Sequence, residues 1–176
     1  LLKYRGQAMQ NAVPKGEGAM MAILGLEIKE INKIISEHKD KFLCYIANDN
    51  SNGQTVISGN TESIEKFGEV LSKSNIRYVK LPVSAPFHCP LMNKATEQMK
   101  QKILDTQFKD PKIDIVSNVT AKPLKSSIDI KRLLVEQIEK PVRWRESVQN
   151  IIKLGINQFI EIGPGKVLSG LIKRID

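Results

Sequence analysis

The stretch LPVSAPFHCPLM, residues 81–92, decides how the chain is organised, because it joins two differently patterned parts of the sequence. It contains Pro82, Pro86 and Pro90, and each proline restricts its own φ and biases the residue before it towards extended conformations. Pro90 suits the first turn of a helix, where its missing N–H would have had no partner. His88 lies on this rigid loop and is a candidate general base, although a histidine that merely fills space at a helix start has the same pattern.

The sequence before the loop alternates between strand and helix periodicity. Its predicted elements are a strand at 19–24, a helix at 28–38, strands at 42–47 and 54–58, a helix at 61–71 and a strand at 76–81. Turn-forming residues at 48–53 indicate a hairpin between the second and third strands. The order βαββαβ is the ferredoxin-like pattern, and it ends where the histidine loop begins. We therefore predict that this unit is an insert.

The rest of the chain predicts part of a larger layer. Its predicted elements are helices at 1–13, 91–104, 128–138, 144–154 and 166–175 and strands at 113–116 and 158–162. Alternating strands and helices favour a parallel α/β layer, and two strands are too few for an independent sheet. The domain prediction assigns residues 1–16 and 84–176 to part of a large α/β subdomain and residues 17–83 to a ferredoxin-like small subdomain.

Length and composition are typical of a soluble globular protein. The 176 residues are 41% hydrophobic and 26% charged, and no apolar run reaches the 18 residues of a membrane span. Cys44 and Cys89 are too few for a disulfide framework, so a cytoplasmic location is expected. The chain opens at Leu1 inside a helical pattern and has no signal peptide, which indicates a true start further upstream.

The net charge of +8 favours an acidic protein partner or a phosphorylated ligand. Lysines are scattered and aromatic residues are few, which disfavours nucleic acid and leaves a general lysine bias as an alternative.

Other chemistries are weaker from the residues alone. Two histidines fifty residues apart do not make a metal site. The GPG at residues 163–165 lacks the spacing of a phosphate loop and indicates a tight turn. Adjacent side chains in an extended chain seldom face each other, which disfavours a Cys89–His88 pair. No serine stands in a G-x-S-x-G elbow, so the residues supply a candidate base and no nucleophile.

Five groups of motifs then follow one another along the chain. They are RGxxMQxAVP from Arg5 with GxGAM from Gly16, NxNS from Asn48 with GQxVIxG from Gly53, VSAPFHxxLM from Val83, QxxxPVxW from Gln137, and EIGPGKVL from Glu161. Their combination and order resemble the malonyl-CoA:acyl carrier protein transacylase family and the related acyltransferase domains of polyketide synthases. The resemblance covers essentially the whole chain. It implies an α/β fold, namely a partial hydrolase-like acyltransferase core with an inserted ferredoxin-like βαββαβ subdomain, and this agrees with the insert derived above.

The resemblance also implies a catalytic pair and a carboxylate clamp. His88 would be the base that takes the proton of a serine, and the backbone carbonyl of Gln137 would hold the other imidazole nitrogen. The side chain of Gln137 should then matter little. Arg5 would grip the free carboxylate of the malonyl group, since a planar guanidinium binds a carboxylate bidentately.

Three further substrate-binding residues follow from the resemblance. Phe87 would crowd an α-methyl group and so favour malonyl over methylmalonyl. Asn48 and Asn50 match positions near the coenzyme arm, with an ordinary hairpin turn as the alternative.

The implied reaction moves malonyl from coenzyme A to a serine and then to the phosphopantetheine thiol of acyl carrier protein, in fatty-acid biosynthesis. The expected partners are malonyl-CoA and acyl carrier protein, with no cofactor, metal, nucleic acid or membrane, and the complete protein is expected to be a monomer. The family's serine elbow, G-H-S-x-G, and a G-Q-G motif precede the arginine helix and are not in this sequence. The chain is therefore expected to be a C-terminal part that is inactive alone.

Several alternatives stay open at this point. They are a polyketide-type acyltransferase domain, an inactive module that docks a carrier protein, and a hydrolase of the same architecture. An RNA-binding ferredoxin-like module would need exposed aromatic residues on its sheet, whereas the strands here are aliphatic.

Overall fold

The computed structural model describes residues 1–175 as a mixed α/β structure. The helices are α1 (Leu2–Gln10), α2 (Ile28–Glu37), α3 (Thr61–Lys73), α4 (Asn93–Asp105), α5 (Ser127–Glu136), α6 (Trp144–Lys153) and α7 (Val167–Ile172). The strands are β1 (Gly18–Leu24), β2 (Cys44–Ser51), β3 (Gln54–Asn60), β4 (Arg77–Lys80), β5 (Ile115–Val116), β6 (Pro123–Leu124) and β7 (Val142–Arg143). A 3₁₀ turn at Pro90–Met92 leads into α4.

Five strands form one sheet in the order β4-β1-β3-β2-β7. The first four are antiparallel and come from the region predicted as βαββαβ, with α2 and α3 as its helices. The fifth, β7, comes from the far end of the chain and runs parallel to β2, with Asn48 opposite Val142 and Asp49 opposite Arg143. The predicted fold class is confirmed.

The two faces of this sheet have different partners. On one face α2 and α3 bury a large apolar cluster: Met21, Ile23, Ile31, Phe42, Cys44, Ile57, Ile64, Phe67 and Leu71. On the other, Met20, Ala22, Ala47 and Val56 pack with the partly buried Leu81, Val83 and Phe87 of the histidine loop. The loop therefore rests on the sheet surface opposite the helices.

A separate cluster holds the rest of the structure together. It is formed by residues of α1 and α4, of the segments directly after α1 and α5, and of the histidine loop with its 3₁₀ turn: Ala8, Met9, Ala12, Ala85, Met92, Ala95, Met99, Ile103 and Ile138. Phe87 packs against this cluster as well as against the sheet. Burial of these apolar side chains is worth roughly 1.5–3 kcal/mol for each large one. The histidine loop thus belongs to this cluster through Ala85 and Met92 and contacts the sheet through Phe87.

The predicted strand at residues 158–162 is wrong, because the structure has no strand there. Ile160 is 86% exposed and Ile162 is 94% exposed, and none of the strands in residues 1–175 pairs with this segment. A strand needs a neighbour that accepts and donates its ladder hydrogen bonds. The apolar residues of this segment are visible in the sequence, whereas a neighbouring strand is not.

The predicted strand at 113–116 is shorter than expected and does not join a parallel layer. Only Ile115–Val116 is a strand, and it pairs with Pro123–Leu124 in an antiparallel ribbon. The boundaries of the two subdomains at residues 16/17 and 83/84 stay a prediction.

None of the helices in residues 1–175 is both long enough and apolar enough to cross a membrane.

Candidate active site

His88 adopts a backbone conformation that non-glycine residues seldom take. Its φ is +60°, in the left-handed region, where an L-residue is disfavoured by roughly 1–2 kcal/mol. The residues around it fix this geometry: Cys89 donates its thiol to the carbonyl of Pro86 at 3.1 Å, and Pro90 begins the 3₁₀ turn. Such strain persists because the surroundings determine the loop, and it often marks a functional residue.

Gly18 is a second support of this loop; it belongs to the GxGAM motif, which gave it no role. A Cβ built on Gly18 would lie 2.1 Å from Cδ of Pro86, so the first residue of β1 must be glycine for the loop to sit this close. The available sequence signal was a glycine directly before an apolar strand, which is too common to be specific.

His88 meets the end of α5. Its Nδ1 lies 3.0 Å from the backbone carbonyl oxygen of Gln137, the C-cap residue of that helix. Carbonyls in the last turn of a helix have no intrahelical donor, so this oxygen is free to accept. The negative end of the helix dipole also favours a positive imidazolium at this place.

Burial sets the protonation state of His88. It lowers the pKa of the imidazole below its ordinary value of 6.5; the bond to the Gln137 carbonyl acts in the opposite direction, and the positive charge of Arg5 lowers it further. The ring is therefore neutral at pH 7, as a general base must be.

Arg5, on α1, completes a cluster with the same glutamine. Its Nη2 donates to Oε1 of Gln137 at 2.8 Å, and Nε2 of Gln137 lies 3.1 Å from Nδ1 of His88. Burial lowers the pKa of Arg5. Within residues 1–175, Arg5 forms no ion pair with an Asp or Glu, so its charge has only a neutral amide beside it. A carboxylate ligand would find an uncompensated guanidinium.

The side chain of Gln137 therefore has more partners than expected. The resemblance implied a role for its backbone carbonyl alone, whereas the side-chain amide bridges Arg5 and His88.

Phe87 lies next to His88 and packs between two apolar clusters, the one around α1 and α4 and the one on the sheet face opposite α2 and α3. Its own N–H donates to the carbonyl of Ala85 at 3.1 Å, which tightens the loop before His88. A ring held from both sides has a fixed position.

Asn48 and Asn50 lie on β2, not in a turn. The strand continues to Ser51, and the turn is confined to Asn52 and Gly53, which has a φ of +66°. Neither amide side chain hydrogen-bonds to His88, Arg5 or Gln137 in the described part of the chain. The structure thus does not bring these two residues into the cluster.

Asp49, between them, makes a contact that the sequence analysis missed. Arg145 of α6 donates from Nε to both carboxylate oxygens, at 2.9 and 3.1 Å, and from Nη2 to one of them at 2.9 Å. This bidentate pair joins α6 to β2 beside the β2–β7 pairing.

A cavity of about 370 Å³ opens beside His88 between the sheet and the loop before β7. Asn32 and Tyr45 line it from the sheet unit, which consists of β1–β4 with α2 and α3, and Glu139 and Lys140 line it from the other side. Asn48 and Asn50 do not line it.

The GPG turn at residues 163–165 is followed by a helix start that is already occupied. The carboxylate of Glu161 accepts hydrogen bonds from the backbone N–H of Leu168 and Ser169, at 3.1 and 2.9 Å, and from the Ser169 hydroxyl. This arrangement agrees with a tight turn closed by its own acidic residue.

Neither a serine bonded to His88 nor a cluster of metal ligands is found among the residues that the structure describes. No serine hydroxyl in residues 1–175 hydrogen-bonds to His88, and no group of three or more His, Cys, Asp or Glu in that range could hold a metal ion.

Comparisons with known proteins agree with the motifs. The model of the acyl transferase domain family matches residues 1–174. The malonyl CoA-acyl carrier protein transacylase of Bacillus subtilis (strain 168) is 41% identical over 179 residues, which cover 99% of this chain and 56% of that protein. The chain thus spans about half the length of the curated relatives that it matches.

Solved structures of related proteins also match almost the whole of this chain. The acyl-carrier-protein-S-malonyltransferase of Bartonella henselae superposes with a TM-score of 0.95 at 44% identity, over 99% of this chain and 56% of that one. A malonyl-transacylase solved in complex with its type II polyketide acyl-carrier protein has a TM-score of 0.93 and 39% identity, over 99% of this chain and 57% of that one.

Proposed function

Because the chain belongs to the acyl transferase domain family, we propose that it is the base-carrying and substrate-selecting part of a malonyl-CoA:acyl carrier protein transacylase. The observation that carries this proposal is the cluster in which His88 Nδ1 meets the Gln137 carbonyl at 3.0 Å with the unpaired charge of Arg5 beside it. A hydrolase-like site needs an oriented base, and selection of a malonyl group needs a cation.

His88 is the proposed general base. With its Nδ1 proton donated to the Gln137 carbonyl, Nε2 carries a lone pair that can take the proton of a serine supplied by the remainder of the protein. The serine then attacks the thioester, and the protonated ring returns the proton to the leaving thiolate of coenzyme A. The same steps in reverse pass the acyl group to the phosphopantetheine thiol of acyl carrier protein.

Arg5 is the proposed selector of the acyl group. A guanidinium that is partly buried and has no carboxylate partner strongly favours a ligand that brings one. Selection by charge supplies discrimination that the loss of one methylene cannot. Phe87, fixed between two clusters next to the base, is proposed to crowd an α-methyl substituent.

The carrier arm is proposed to approach through the groove between the two parts of the structure, with residues 17–83 as the small subdomain and residues 1–16 and 84–176 as part of the large one. Asn48 and Asn50 on β2 are the proposed contacts of this arm. The net charge of +8 suits an acidic carrier protein and the phosphates of coenzyme A. We propose a cytoplasmic enzyme of fatty-acid biosynthesis that needs no cofactor and is a monomer when complete.

A polyketide carrier protein is the second candidate partner. The observation that favours it is the high similarity to a transacylase whose structure was solved with a type II polyketide acyl-carrier protein.

The test is an intact-mass measurement on the full-length protein before and after incubation with malonyl-CoA. A gain of one malonyl group, transferred on addition of acyl carrier protein in its phosphopantetheine form, would support the proposal. His88→Ala should abolish the gain while the protein stays folded.

Absence of acylation in the unmodified protein would favour a docking module instead, and acylation of residues 1–176 alone would mean that the nucleophile lies within this chain. Transfer to a type II polyketide carrier and not to a fatty-acid carrier would select the second partner.

A further inference from the structure

Gln137 places two incompatible demands on one nitrogen of His88. Its backbone carbonyl oxygen lies 3.0 Å from Nδ1, and its side-chain Nε2 lies 3.1 Å from the same atom. A carbonyl oxygen can only accept a hydrogen bond, whereas an amide NH₂ can only donate one. A neutral imidazole nitrogen carries either a proton or a lone pair, so Nδ1 satisfies one of these partners at a time.

The choice between the partners decides whether His88 can act as a base. If Nδ1 donates to the carbonyl, Nε2 has the lone pair and can accept a proton. If Nδ1 instead accepts from the amide, the proton is on Nε2 and the ring has no free lone pair for a serine. The two hydrogen bonds thus favour opposite tautomers of the same side chain.

Arg5 determines that the amide presents its nitrogen, and not its oxygen, to His88. A guanidinium has only donors, so the atom of Gln137 that faces Nη2 at 2.8 Å must be the acceptor Oε1. Because Oε1 is held by Arg5, Nε2 points towards Nδ1. The guanidinium and the imidazole are therefore coupled through one amide group, across 132 positions of the sequence between Arg5 and Gln137.

We propose that the side chain of Gln137 is a latch that holds part of the His88 population in the inactive tautomer until a carboxylate binds Arg5. The inference deepens the proposed function and rests on it, since the carboxylate is that of the malonyl group. A bound carboxylate replaces Oε1 as the acceptor of Arg5, because a charge-assisted pair is stronger than a bond to a neutral amide. The freed amide rotates away, and the backbone carbonyl is left as the partner of Nδ1.

No charge is gained or lost in this step. The proton leaves Nε2 and a proton arrives at Nδ1 through water, so the ring stays neutral. An acyl group without a carboxylate leaves the bond between Arg5 and Gln137 intact and therefore meets a base that is only partly in its active form. In this way Arg5 selects the substrate through the rate of acylation in addition to affinity. Gln137 is a positioning residue in this scheme, because it acts through His88 and Arg5.

The experiment is ¹⁵N NMR of histidine side chains in the full-length protein, whose two ring nitrogens report the tautomer directly. The signal of His88 is assigned by its loss in His88→Ala. Without ligand we expect both tautomers, and saturation with malonate should leave the form with the proton on Nδ1. A single Nδ1-protonated form in the unliganded protein, or malonate binding that leaves the populations unchanged, would overturn the proposal.

Two variants release the latch from opposite ends. Gln137→Met removes the amide and Arg5→Met removes the group that orients it, and both should show the Nδ1-protonated form without any ligand. Gln101→Met, which removes an exposed amide bonded to Asp105 on α4, is the matched control and should keep both forms. Persistence of both forms in the two test variants would also overturn the proposal.

A kinetic readout accompanies the spectra. In Gln137→Met the ratio of kcat for malonyl-CoA to kcat for acetyl-CoA should fall relative to the unmodified protein, and an unchanged ratio would count against the latch. If malonate fails to bind at all, the carboxylate clamp of the proposed function is wrong, while the spectra of the unliganded variants still decide whether the latch exists.

Discussion

Two arginines of this protein have opposite electrostatic settings. Arg145 is held by the carboxylate of Asp49 through three hydrogen bonds of 2.9–3.1 Å, and these bonds raise its pKa above the ordinary value. Arg5 has the neutral amide of Gln137 as its partner, and burial lowers its pKa. Within residues 1–175, one guanidinium has a carboxylate partner and the other does not.

The difference separates a structural contact from the proposed binding site. The pair of Arg145 and Asp49 joins α6 to the sheet unit, and its charges cancel there. A buried charge without a counter-charge is unfavourable for folding and persists where a ligand supplies the missing partner. The side chain of Gln137 connects Arg5 to His88, so the uncompensated positive charge of Arg5 is located where the proposed chemistry takes place.

The largest expected effect comes from removing the uncompensated positive charge of Arg5. In the full-length protein, Arg5→Ala should lower kcat/KM for malonyl-CoA by roughly 10⁴-fold, because the carboxylate loses its charged partner, and should improve tolerance for acetyl-CoA. Steady-state kinetics with both thioesters measure the change. Arg145→Lys, which keeps the charge beside Asp49, is the control and should retain the malonyl preference. An unchanged preference in Arg5→Ala would refute the clamp.

The next variant makes Arg5 resemble Arg145. Gln137→Glu supplies an internal carboxylate that occupies the guanidinium and repels the malonyl carboxylate, so kcat/KM should fall about 10²- to 10³-fold, mostly through KM. Gln101→Glu introduces the same charge at an exposed amide of α4 and should leave KM unchanged. A normal KM in Gln137→Glu would mean that the malonyl group binds elsewhere.

The reverse exchange makes Arg145 resemble Arg5. Asp49→Asn leaves the guanidinium with a neutral amide and should lower the free energy of unfolding by about 3 kcal/mol, measured by urea denaturation of the full-length protein. The double variant Asp49→Asn/Arg145→Met removes the unpaired charge and should recover part of the loss. A double variant less stable than Asp49→Asn would show that the unpaired guanidinium is not the cause of the loss.

The smallest expected effect is on the pH dependence of acylation. Burial and the charge of Arg5 lower the pKa of His88, so the acidic limb of the rate profile should lie below 6.5. Arg5→Met should move this limb to higher pH, whereas Arg145→Met should not move it. The free energy of unfolding depends on the same group, because His88 has a lower pKa in the folded chain than in the unfolded chain. As the pH falls below 6.5, the unfolded chain is protonated at this residue before the folded chain is. The contribution of neutral His88 to the free energy of unfolding therefore decreases between pH 6.5 and the lowered pKa. A limb that does not respond to Arg5→Met would contradict the electrostatic coupling.

The sheet unit was predictable because its signals are local. Apolar residues at helical spacing in α2 and α3 and the turn residues at Asn52 and Gly53 each act within a few positions, and the structure has the elements that they indicate. The predicted strand at 158–162 failed for the opposite reason. Its apolar residues indicated a strand, but pairing needs a neighbouring strand, and none lies beside it in residues 1–175.

The site was predictable only in part. Motif order indicated Arg5, His88 and the carbonyl of Gln137, which the structure brings together. It did not indicate the side-chain amide of Gln137. The turn-forming residues at 48–53 predicted a turn at Asn48 and Asn50, whereas both lie on β2 and outside the cluster.

The sequence by itself determined the local elements, the rigid proline loop and the set of polar residues available for chemistry, because dihedral restriction and periodicity depend on neighbours along the chain. The tertiary structure decided which of these residues touch. Arg5 and Gln137 are 132 positions apart, and Asp49 and Arg145 are 96 apart, so neither contact leaves a periodic signal. In the folded chain Arg145 contacts a carboxylate and Arg5 contacts an amide. Charge compensation depends on distances in space, which the order of residues does not contain.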